Sequence, residues 1–335
     1  MFVLPIAPRL DYIISFMSGG SNFFDCFFTV TQLSHVYESQ QFTLAFLERI
    51  FELATAIQKD PTKFQIPGKV LATLFYEAST RTRLSFEAAM LRLGGSVIST
   101  EMAKEFSSHS KGETLEDTIK VVSKYADIIA LRHHEIGAAK RAAGASGVPV
   151  INAGDGAGQH PTQALLDLFT IKSKFGSIDG LTIAMVGDLL YGRTTRSLCY
   201  LLGRFYKIKL IFVAPPICRM GEDILTFLDE HGVDWTDEPS LEIAAAQADC
   251  IYMTRVQKER FLDMEGYEEA AAKYKIDNQL MSHAKANAIV MHPLPRLSEI
   301  DVETDDDPRM VFFEQAGNGL WVRMALIYSL LMDHP

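Results

Sequence analysis

Residues 70–93 read VLATLFYEASTRTRLSFEAAMLRL, an apolar run followed by a polar turn and a helical pattern. The run Val70–Phe75 predicts a short buried strand, and the spacing of apolar residues after it predicts a helix over 83–93. Ser79 is a natural N-cap for that helix, because a serine oxygen accepts from free backbone N–H groups at a helix start. This stretch therefore predicts a strand–turn–helix unit of an α/β fold.

The same alternation of short apolar runs and helical patterns extends along the chain. Further strands are predicted over 96–99, 127–131, 149–152, 182–187, 209–213, 250–254 and 288–291. Helices are predicted over 42–59, 115–126, 161–174, 194–205, 223–230 and 241–247. Strands that alternate with helices predict parallel sheets covered on both faces. We therefore expect two doubly wound α/β domains, which meet near the helix over 161–174.

Composition excludes several classes of protein. The chain has 335 residues, 48% of them hydrophobic and 22% charged, as in an ordinary globular enzyme of about two domains. Its net charge of −10 is opposite in sign to that of a nucleic-acid binder, so we expect no nucleic-acid partner. No apolar run reaches the ~18 residues that a membrane helix needs, so we expect no membrane partner. The four cysteines form no CxxC pair, which favours a reducing compartment over a zinc or disulfide framework.

Residues 1–33 have no assigned fold. They are rich in Phe, nearly free of charge and interrupted by Ser18-Gly19-Gly20-Ser21. A secretory signal would have a basic start, and a transit peptide would carry several arginines. A poorly ordered leader or a mispredicted start is favoured over a targeting role, so a cytoplasmic location is expected, with organellar targeting by this leader as the alternative.

Polar segments follow the predicted strands at six places. In parallel α/β sheets, ligands bind beyond the carboxyl ends of the strands, so these are the segments where a site is expected. Each carries a cation or a strong hydrogen-bond donor. The segments are 79–83, 132–134, 159–163, 188–193, 255–258 and 292–296.

The turn 79–83 is the strongest of these candidates. Three hydroxyls and two arginines crowd into the start of a helix, where phosphate binds readily. Arg132 alone is equally compatible with a ligand contact and a structural ion pair. His160 precedes Pro161 at another predicted helix start, where histidine is more often a satisfied core or capping residue than a catalyst. The glycines of 154–158 and 187–192 lack the spacing of a dinucleotide site or a P-loop, which disfavours a nicotinamide enzyme and a P-loop nucleotidase.

Taken as a set, the motifs resemble those of the aspartate carbamoyltransferases, the family that catalyses the second step of pyrimidine synthesis. The similarity runs from about Leu33 to Leu331. The motifs that carry it are, in chain order, FYEASTRTRLSFE, EFSSHSKGETLEDT, LRHHE, NAGDGAGQHPTQALLDLFTI, VGDLLYGRTTRSL, YMTRVQKERF, MHPLPRLSEI and QAGNGLWVRMALI.

This resemblance implies transfer of the carbamoyl group of carbamoyl phosphate to the amine of L-aspartate, without a metal or any other cofactor. It implies a carbamoyl phosphate-binding domain over 34–163 and an aspartate-binding domain over 164–313, with the active site in the cleft between them. A C-terminal helix over 314–332 would pack back on the first domain. The resemblance also implies a homotrimer with shared active sites and leaves open larger assemblies with regulatory chains.

The resemblance also assigns roles to residues. The phosphate would be bound by Ser79, Thr80, Arg81, Thr82, Ser107 and Lys111. The carbamoyl group would be bound by Thr82, Arg132, His160, Gln163 and the main-chain carbonyls near Leu294 and Pro295. The carboxylates of L-aspartate would be bound by Lys111, Arg193, Arg255 and Gln257. Ser107 and Lys111 would come from a neighbouring chain. The catalytic residues would be Arg81, Thr82, Lys111, Arg132 and His160.

Two other functions remain as alternatives. An ornithine carbamoyltransferase shares the STRTR and HPxQ elements but carries a His-Cys-Leu-Pro element, whereas residues 292–295 read HPLP. A catalytically inactive paralogue could serve as a regulatory or scaffold subunit. Because every expected catalytic residue is present, a turnover assay distinguishes this last alternative from an enzyme.

Overall fold

The computed structural model describes residues 33–101, 112–256, 268 and 273–332, and within them the strands form two parallel sheets. The first sheet has the order β2-β1-β3-β4, with β1 (Val70–Phe75), β2 (Ser96–Glu101), β3 (Ile128–His133) and β4 (Val150–Asp155). The second has the order β7-β6-β5-β8-β9, with β5 (Thr182–Val186), β6 (Lys209–Val213), β7 (Asp234–Asp237), β8 (Cys250–Met253) and β9 (Ile289–Met291). The predicted pair of parallel α/β sheets is confirmed.

Helices connect these strands. They are α1 (Leu44–Lys59), α2 (Thr80–Arg92), α3 (Leu115–Val122), α4 (Ala138–Ala145), α5 (Pro161–Phe175), α6 (Arg193–Leu202), α7 (Glu222–Glu230), α8 (Leu241–Gln247), α9 (Asn278–His283) and α10 (Phe312–Met332). Local capping explains several helix starts: Thr43 accepts from the Phe46 N–H and Thr114 from the Asp117 N–H. None of the helices in this described part combines the length and the apolar character needed to cross a bilayer.

Three elements were not predicted from the sequence. Strand β7 lies at the edge of the second sheet and is largely exposed, so it carries no apolar run. Helix α4 is rich in alanine, and α9 is only 6 residues long. Each is too weakly patterned for hydrophobic periodicity to detect.

Alternation of side chains along the strands builds a core on both faces of each sheet. In β1, Leu71 and Phe75 join one apolar cluster, whereas Leu74 joins another on the opposite face. In β5, Met185 and Val186 likewise belong to different clusters. Because a strand points successive side chains to opposite faces, both sheets must be covered by helices on each side.

One of these clusters is shared by the two sheets. It contains residues of β1, β3 and β4 together with residues of β5, β6, β8 and β9. Helix α5 connects the sheets in sequence, and α10 contacts α1, α2 and α5. The shared cluster therefore places one sheet against the other through buried helices.

In each sheet, an aspartate that precedes one strand accepts a hydrogen bond from the start of the neighbouring interior strand. Asp127 precedes β3 and accepts a 2.8 Å hydrogen bond from the Val70 N–H at the start of β1. Asp249 precedes β8 and accepts a 2.8 Å bond from the Thr182 N–H at the start of β5. Lys285 pairs with Asp249 at 2.7 Å. Each carboxylate therefore satisfies a backbone donor that the strand ladder leaves unpaired.

We predict that Asp249→Ala lowers the free energy of unfolding by ~1–3 kcal/mol, because the Thr182 N–H loses its acceptor in a half-buried position. Lys285→Ala is the matched control, since it removes only the ion pair and should cost less than ~1 kcal/mol. Urea denaturation measures both. Equal losses in the two variants would show that the ion pair, not the strand anchor, is what stabilises.

Candidate active site

A cavity among the described residues lies where each of the two sheets changes the direction in which strands are added. In the first sheet this switch point falls between β1 and β3, and in the second between β5 and β8. Crevices at such points are the usual ligand sites of open α/β sheets. Loops from both switch points line a single cavity of about 700 Å³. The two sheets therefore contribute to one site.

All six segments singled out in the sequence contribute residues to this cavity. The predicted site residues that line it are Ser79, Thr80, Arg81, Thr82, Arg132, His160, Gln163, Arg193, Arg255, Leu294 and Pro295. The predicted site residues Ser107, Lys111 and Gln257 lie outside the described residues.

The N-terminus of α2 opens into the cavity. Ser79 is its N-cap, as predicted, but the Ser79 side chain makes no capping hydrogen bond. Thr80, Arg81 and Thr82 form the first turn and line the cavity. The hydroxyls and the positive end of the helix dipole therefore face the same space, an arrangement suited to an anion.

Arg132, from a strand of the first sheet, and Arg193, from the helix after β5 of the second, both pack against Gly154. The Arg132 guanidinium donates to the Ala153 carbonyl at 3.2 Å, and Arg193 donates to the Gly156 carbonyl at 2.6 Å. Gly154 has φ +116, and a Cβ there would lie 3.0 Å from Arg132 Nη1 and 3.2 Å from Arg193 Cζ. Only glycine allows both guanidinium groups to pack this closely against the backbone.

Glu77 is a carboxylate beside these arginines that sequence reasoning missed. Its Oε2 lies 3.6 Å from Arg132 Nη2 and 3.9 Å from Arg193 Nη1. Burial lowers the pKa of Arg132 to about 10, with Arg193 acting in the same direction and Glu77 against it. Burial also lowers the pKa of Arg193, again opposed by Glu77. Glu77, together with Asp155 beside Arg193, thus balances the two cations only in part, and the cavity keeps a positive field.

His160 lies at the start of α5 with its ring buried. It is the N-cap of the helix and is followed by Pro161, as predicted. Its backbone N–H donates to Ser197 Oγ at 3.0 Å. The pKa of His160 lies well below its usual 6.5, mainly because the ring is buried and also because the cations Arg193 and Arg132 lie nearby. The imidazole is therefore neutral near pH 7 and can donate one hydrogen bond without carrying a charge.

A buried polar layer under the cavity was also missed from the sequence. Gln163 Nε2 donates to Asp167 Oδ1 at 2.8 Å, and Tyr252 OH donates to Asp167 Oδ2 at 2.7 Å. Gln315 Nε2 also donates to Asp167 Oδ1, at 2.6 Å. Burial raises the pKa of Asp167 from 3.8 to about 7, although these hydrogen bonds act against it. No spacing in the sequence marks this group, because its members come from two helices and a strand.

The loop after β9 closes one side of the cavity. Its shape is held by His292, whose Nδ1 accepts from the Leu294 N–H at 2.8 Å and whose Nε2 lies 2.9 Å from Glu299 Oε1. Leu294 has φ 58 and is followed by a cis bond to Pro295. These contacts place 292–295 against the cavity, where main-chain groups can meet a ligand.

Two family models match consecutive parts of the chain. Residues 34–173 match the carbamoyl-P binding domain of aspartate/ornithine carbamoyltransferases, and residues 179–330 match their Asp/Orn binding domain. An Arabidopsis thaliana protein named aspartate carbamoyltransferase, chloroplastic, is 52% identical over 308 residues, which cover 90% of this chain and 78% of that protein. This chain belongs to the aspartate carbamoyltransferase family.

Solved structures of aspartate carbamoyltransferases, also called aspartate transcarbamoylases, share the fold. The catalytic subunit from M. jannaschii has a TM-score of 0.85 at 45% identity and covers 90% of this chain and 99% of its own. The Trypanosoma cruzi enzyme in complex with carbamoyl phosphate and aspartate has a TM-score of 0.83 at 41% identity and covers 88% of this chain and 96% of its own. The fold and family expected from the sequence are therefore confirmed.

We predict that His160 stays neutral when the pH falls through 6.5. A lowered pKa means that the folded protein resists protonation of this ring, so the neutral form persists below the ordinary value. NMR of protein carrying ¹³C-labelled histidine measures this, with the His160 signal assigned by its loss in His160→Gln. Free histidine in the same buffer is the control. A His160 titration midpoint at or above 6.5 would contradict the prediction.

Proposed function

We propose that this aspartate carbamoyltransferase chain joins the carbamoyl group of carbamoyl phosphate to the amine of L-aspartate, giving N-carbamoyl-L-aspartate and phosphate for de novo pyrimidine (UMP) biosynthesis. The observation that carries this proposal is the convergence of Arg81, Arg132, Arg193 and Arg255 on one cavity. Both substrates are polyanions, and arginine is well suited to bind phosphate and carboxylate groups in pairs of hydrogen bonds.

The phosphate of carbamoyl phosphate would lie at the N-terminus of α2. Ser79, Thr80, Arg81 and Thr82 supply hydroxyls, backbone N–H groups and a cation there. The Ser79 hydroxyl supports this role, because it makes no capping hydrogen bond to the helix that it precedes. We propose that Ser107 and Lys111 of a neighbouring chain complete the phosphate site.

The carbamoyl oxygen would face Thr82, Arg132 and His160. Negative charge grows on this oxygen as the amine attacks, and one well-placed donor can be worth roughly 10²- to 10³-fold in rate. A neutral His160 supports a donor role better than a role as proton acceptor, because the same cations that stabilise the oxygen keep the ring from binding a proton. Gln163 and the carbonyls near Leu294 and Pro295 would hold the carbamoyl amide.

The carboxylates of L-aspartate would bind Arg193, Arg255 and Gln257, with Lys111 assisting. Arg193 and Arg255 follow the strands of the second switch point, whereas the proposed phosphate site at the start of α2 belongs to the first. Attack of the amine on the carbamoyl carbon forms the C–N bond and releases phosphate, which is basic enough to accept the proton from the amine. Holding the two substrates in line supplies most of the acceleration, so no metal or cofactor is required.

We also propose a division of labour within the chain. Residues 34–163 would form the carbamoyl phosphate-binding domain and residues 164–313 the aspartate-binding domain, with 314–332 returning to the first. The family models support a division close to this, since they part between residues 173 and 179, at the end of α5.

The cellular location is a separate proposal. We place the enzyme in the cytoplasm, as its widely spaced cysteines support a reducing compartment. The Arabidopsis relative is named as chloroplastic, and cell fractionation of the full chain distinguishes the two locations.

We predict that the purified protein forms N-carbamoyl-L-aspartate from carbamoyl phosphate and L-aspartate and does not carbamoylate L-ornithine. The amine pocket is lined by guanidinium groups, which attract the side-chain carboxylate of aspartate and repel the ammonium of ornithine. A product assay with both amines measures this. Comparable kcat/KM values for the two amines would overturn the assignment.

Arg255→Lys is the matched variant for this assay. Lysine keeps the charge but loses the planar fork that binds a carboxylate through two bonds, so kcat/KM for aspartate should fall far more than the affinity for carbamoyl phosphate. Loss of carbamoyl phosphate affinity to the same extent, measured by calorimetry, would place Arg255 elsewhere.

A shared site in a homotrimer gives a further prediction. Lys111→Ala and Arg132→Ala chains should each be nearly inactive alone, because every site then lacks one cation. After joint unfolding and 1:1 reassembly, about a quarter of the sites should take the intact Arg132 from their own chain and the intact Lys111 from a neighbour. Activity near that level supports the proposal. Trimers verified by light scattering that recover no activity would place Lys111 within its own site, and the same light scattering reports any larger assembly with regulatory chains.

A further inference from the structure

Asp167 lies one helical turn after Gln163 in α5 and is fully buried. Its carboxylate accepts three hydrogen bonds, from the Gln163 and Gln315 amides and from the Tyr252 hydroxyl, at 2.8, 2.6 and 2.7 Å. Gln163 and Gln315 line the cavity, whereas Asp167 lies beneath it. A single carboxylate therefore holds two cavity-lining side chains from different helices.

The bond to Asp167 determines which end of the Gln163 amide faces the cavity. An amide carries its donors on nitrogen and its acceptor on oxygen. Because Gln163 Nε2 donates to Asp167, Oε1 is left as the group that can meet a ligand. The Gln163 side chain thus presents a hydrogen-bond acceptor to the cavity.

This orientation does not depend on the charge of Asp167. Oδ1 accepts from two amides at once, so a proton on the carboxyl group belongs on Oδ2, from which it can be donated to the Tyr252 oxygen. Both amide donors keep their acceptor in either state. The pKa of Asp167 is about 7, so its charge changes near neutral pH. Gln163 presents the same acceptor to the cavity on both sides of that change.

The same carboxylate also reaches the loop on the other side of the cavity. Gln315 donates to Asp167 through Nε2, and its Oε1 accepts from the His292 N–H at 2.9 Å. His292 begins the segment 292–295, in which the carbonyls of Leu294 and Pro295 are proposed to meet the carbamoyl amide. Asp167 is thus connected to both groups of acceptors around that amide.

We propose that Asp167 is a positioning residue that fixes the Gln163 carbonyl oxygen toward the cavity, so that the site selects an acyl phosphate bearing N–H donors, carbamoyl phosphate, over one bearing a methyl group, acetyl phosphate. This inference rests on the proposed function. An acceptor held in place gains a hydrogen bond from the carbamoyl amide, but against a methyl group it is buried without a partner.

The test compares two substitutions that keep the four side-chain heavy atoms and the branching of aspartate. Asp167→Asn keeps an acceptor for both glutamine amides and can donate from its own amide to the Tyr252 oxygen. Asp167→Leu removes both acceptors. For each variant, and for the wild type, kcat/KM for carbamoyl phosphate and the inhibition constant of acetyl phosphate are measured at one fixed L-aspartate concentration. The discrimination ratio is the product of these two quantities.

Asp167→Leu should lower the discrimination ratio by about 3- to 10-fold, the effect of one hydrogen bond. Asp167→Asn should keep the ratio within about twofold of the wild type. In a Gln163→Ala background, Asp167→Leu should lower the ratio by less than it does alone, because only the connection through Gln315 to His292 then remains. Tyr252→Phe is the matched control: it removes a donor from the same carboxylate but leaves both amide contacts, so it should lower the thermal midpoint without changing the ratio.

Several results would overturn the inference. The first is a wild type that binds acetyl phosphate as tightly as carbamoyl phosphate. The second is an Asp167→Asn variant that loses discrimination as fully as Asp167→Leu. The third is an Asp167→Leu effect that is as large in the Gln163→Ala background as in the wild type. The wild-type comparison applies even if Asp167→Leu does not fold. Absence of turnover in the wild type would instead contradict the proposed function, so the two failures are distinguishable.

Discussion

Two guanidinium groups packed against one glycine are the constraint on which the site depends. Arg132 lies near the end of β3 in the first sheet, whereas Arg193 begins a helix that follows a strand of the second, so both reach Gly154 only if the two sheets are held at a set separation. Like charges this close repel, and a half-buried Glu77 offsets that repulsion only in part. The apolar cluster shared by the sheets supplies the free energy that keeps the cations together. A bound polyanion would relieve the same repulsion.

Helix α5 transmits this constraint from one sheet to the other. It begins at His160 in the cavity and is buried along most of its length. About two turns further on, Asp167 accepts a hydrogen bond from Tyr252 in the second sheet, and Gln315 of the terminal helix donates to the same carboxylate. A buried carboxylate with three donors tolerates little displacement of any of them, because each lost bond leaves a buried polar group unpaired. The helix that connects the domains in sequence thus also orients the cavity between them.

Sequence patterns predicted most of the strands because strands buried on both faces read as continuous apolar runs, as in Val70–Phe75. The rule that ligands bind beyond strand ends then found Arg81, Arg132, Arg193 and Arg255, which do line one cavity. The rule could not show the order of the strands in each sheet. That order puts the loops that carry these arginines at two switch points, one in each sheet, that line the same cavity. Asp167 was missed for a related reason: within its own helix it is a polar residue with apolar neighbours, and two of its three partners lie 85 and 148 residues away in sequence.

The cations that make the cavity attractive to polyanions also determine what His160 can do. Arg193 and Arg132 act with burial to keep the pKa of His160 well below its usual value, so a site built to bind phosphate and carboxylates cannot also hold a strongly basic imidazole at this position. Proton transfer must then be left to a group that brings its own negative charge. In the proposed reaction the departing phosphate is such a group, and it is held by the same cations. Anion binding, a neutral histidine and a substrate that serves as its own base are therefore consequences of one arrangement of charge.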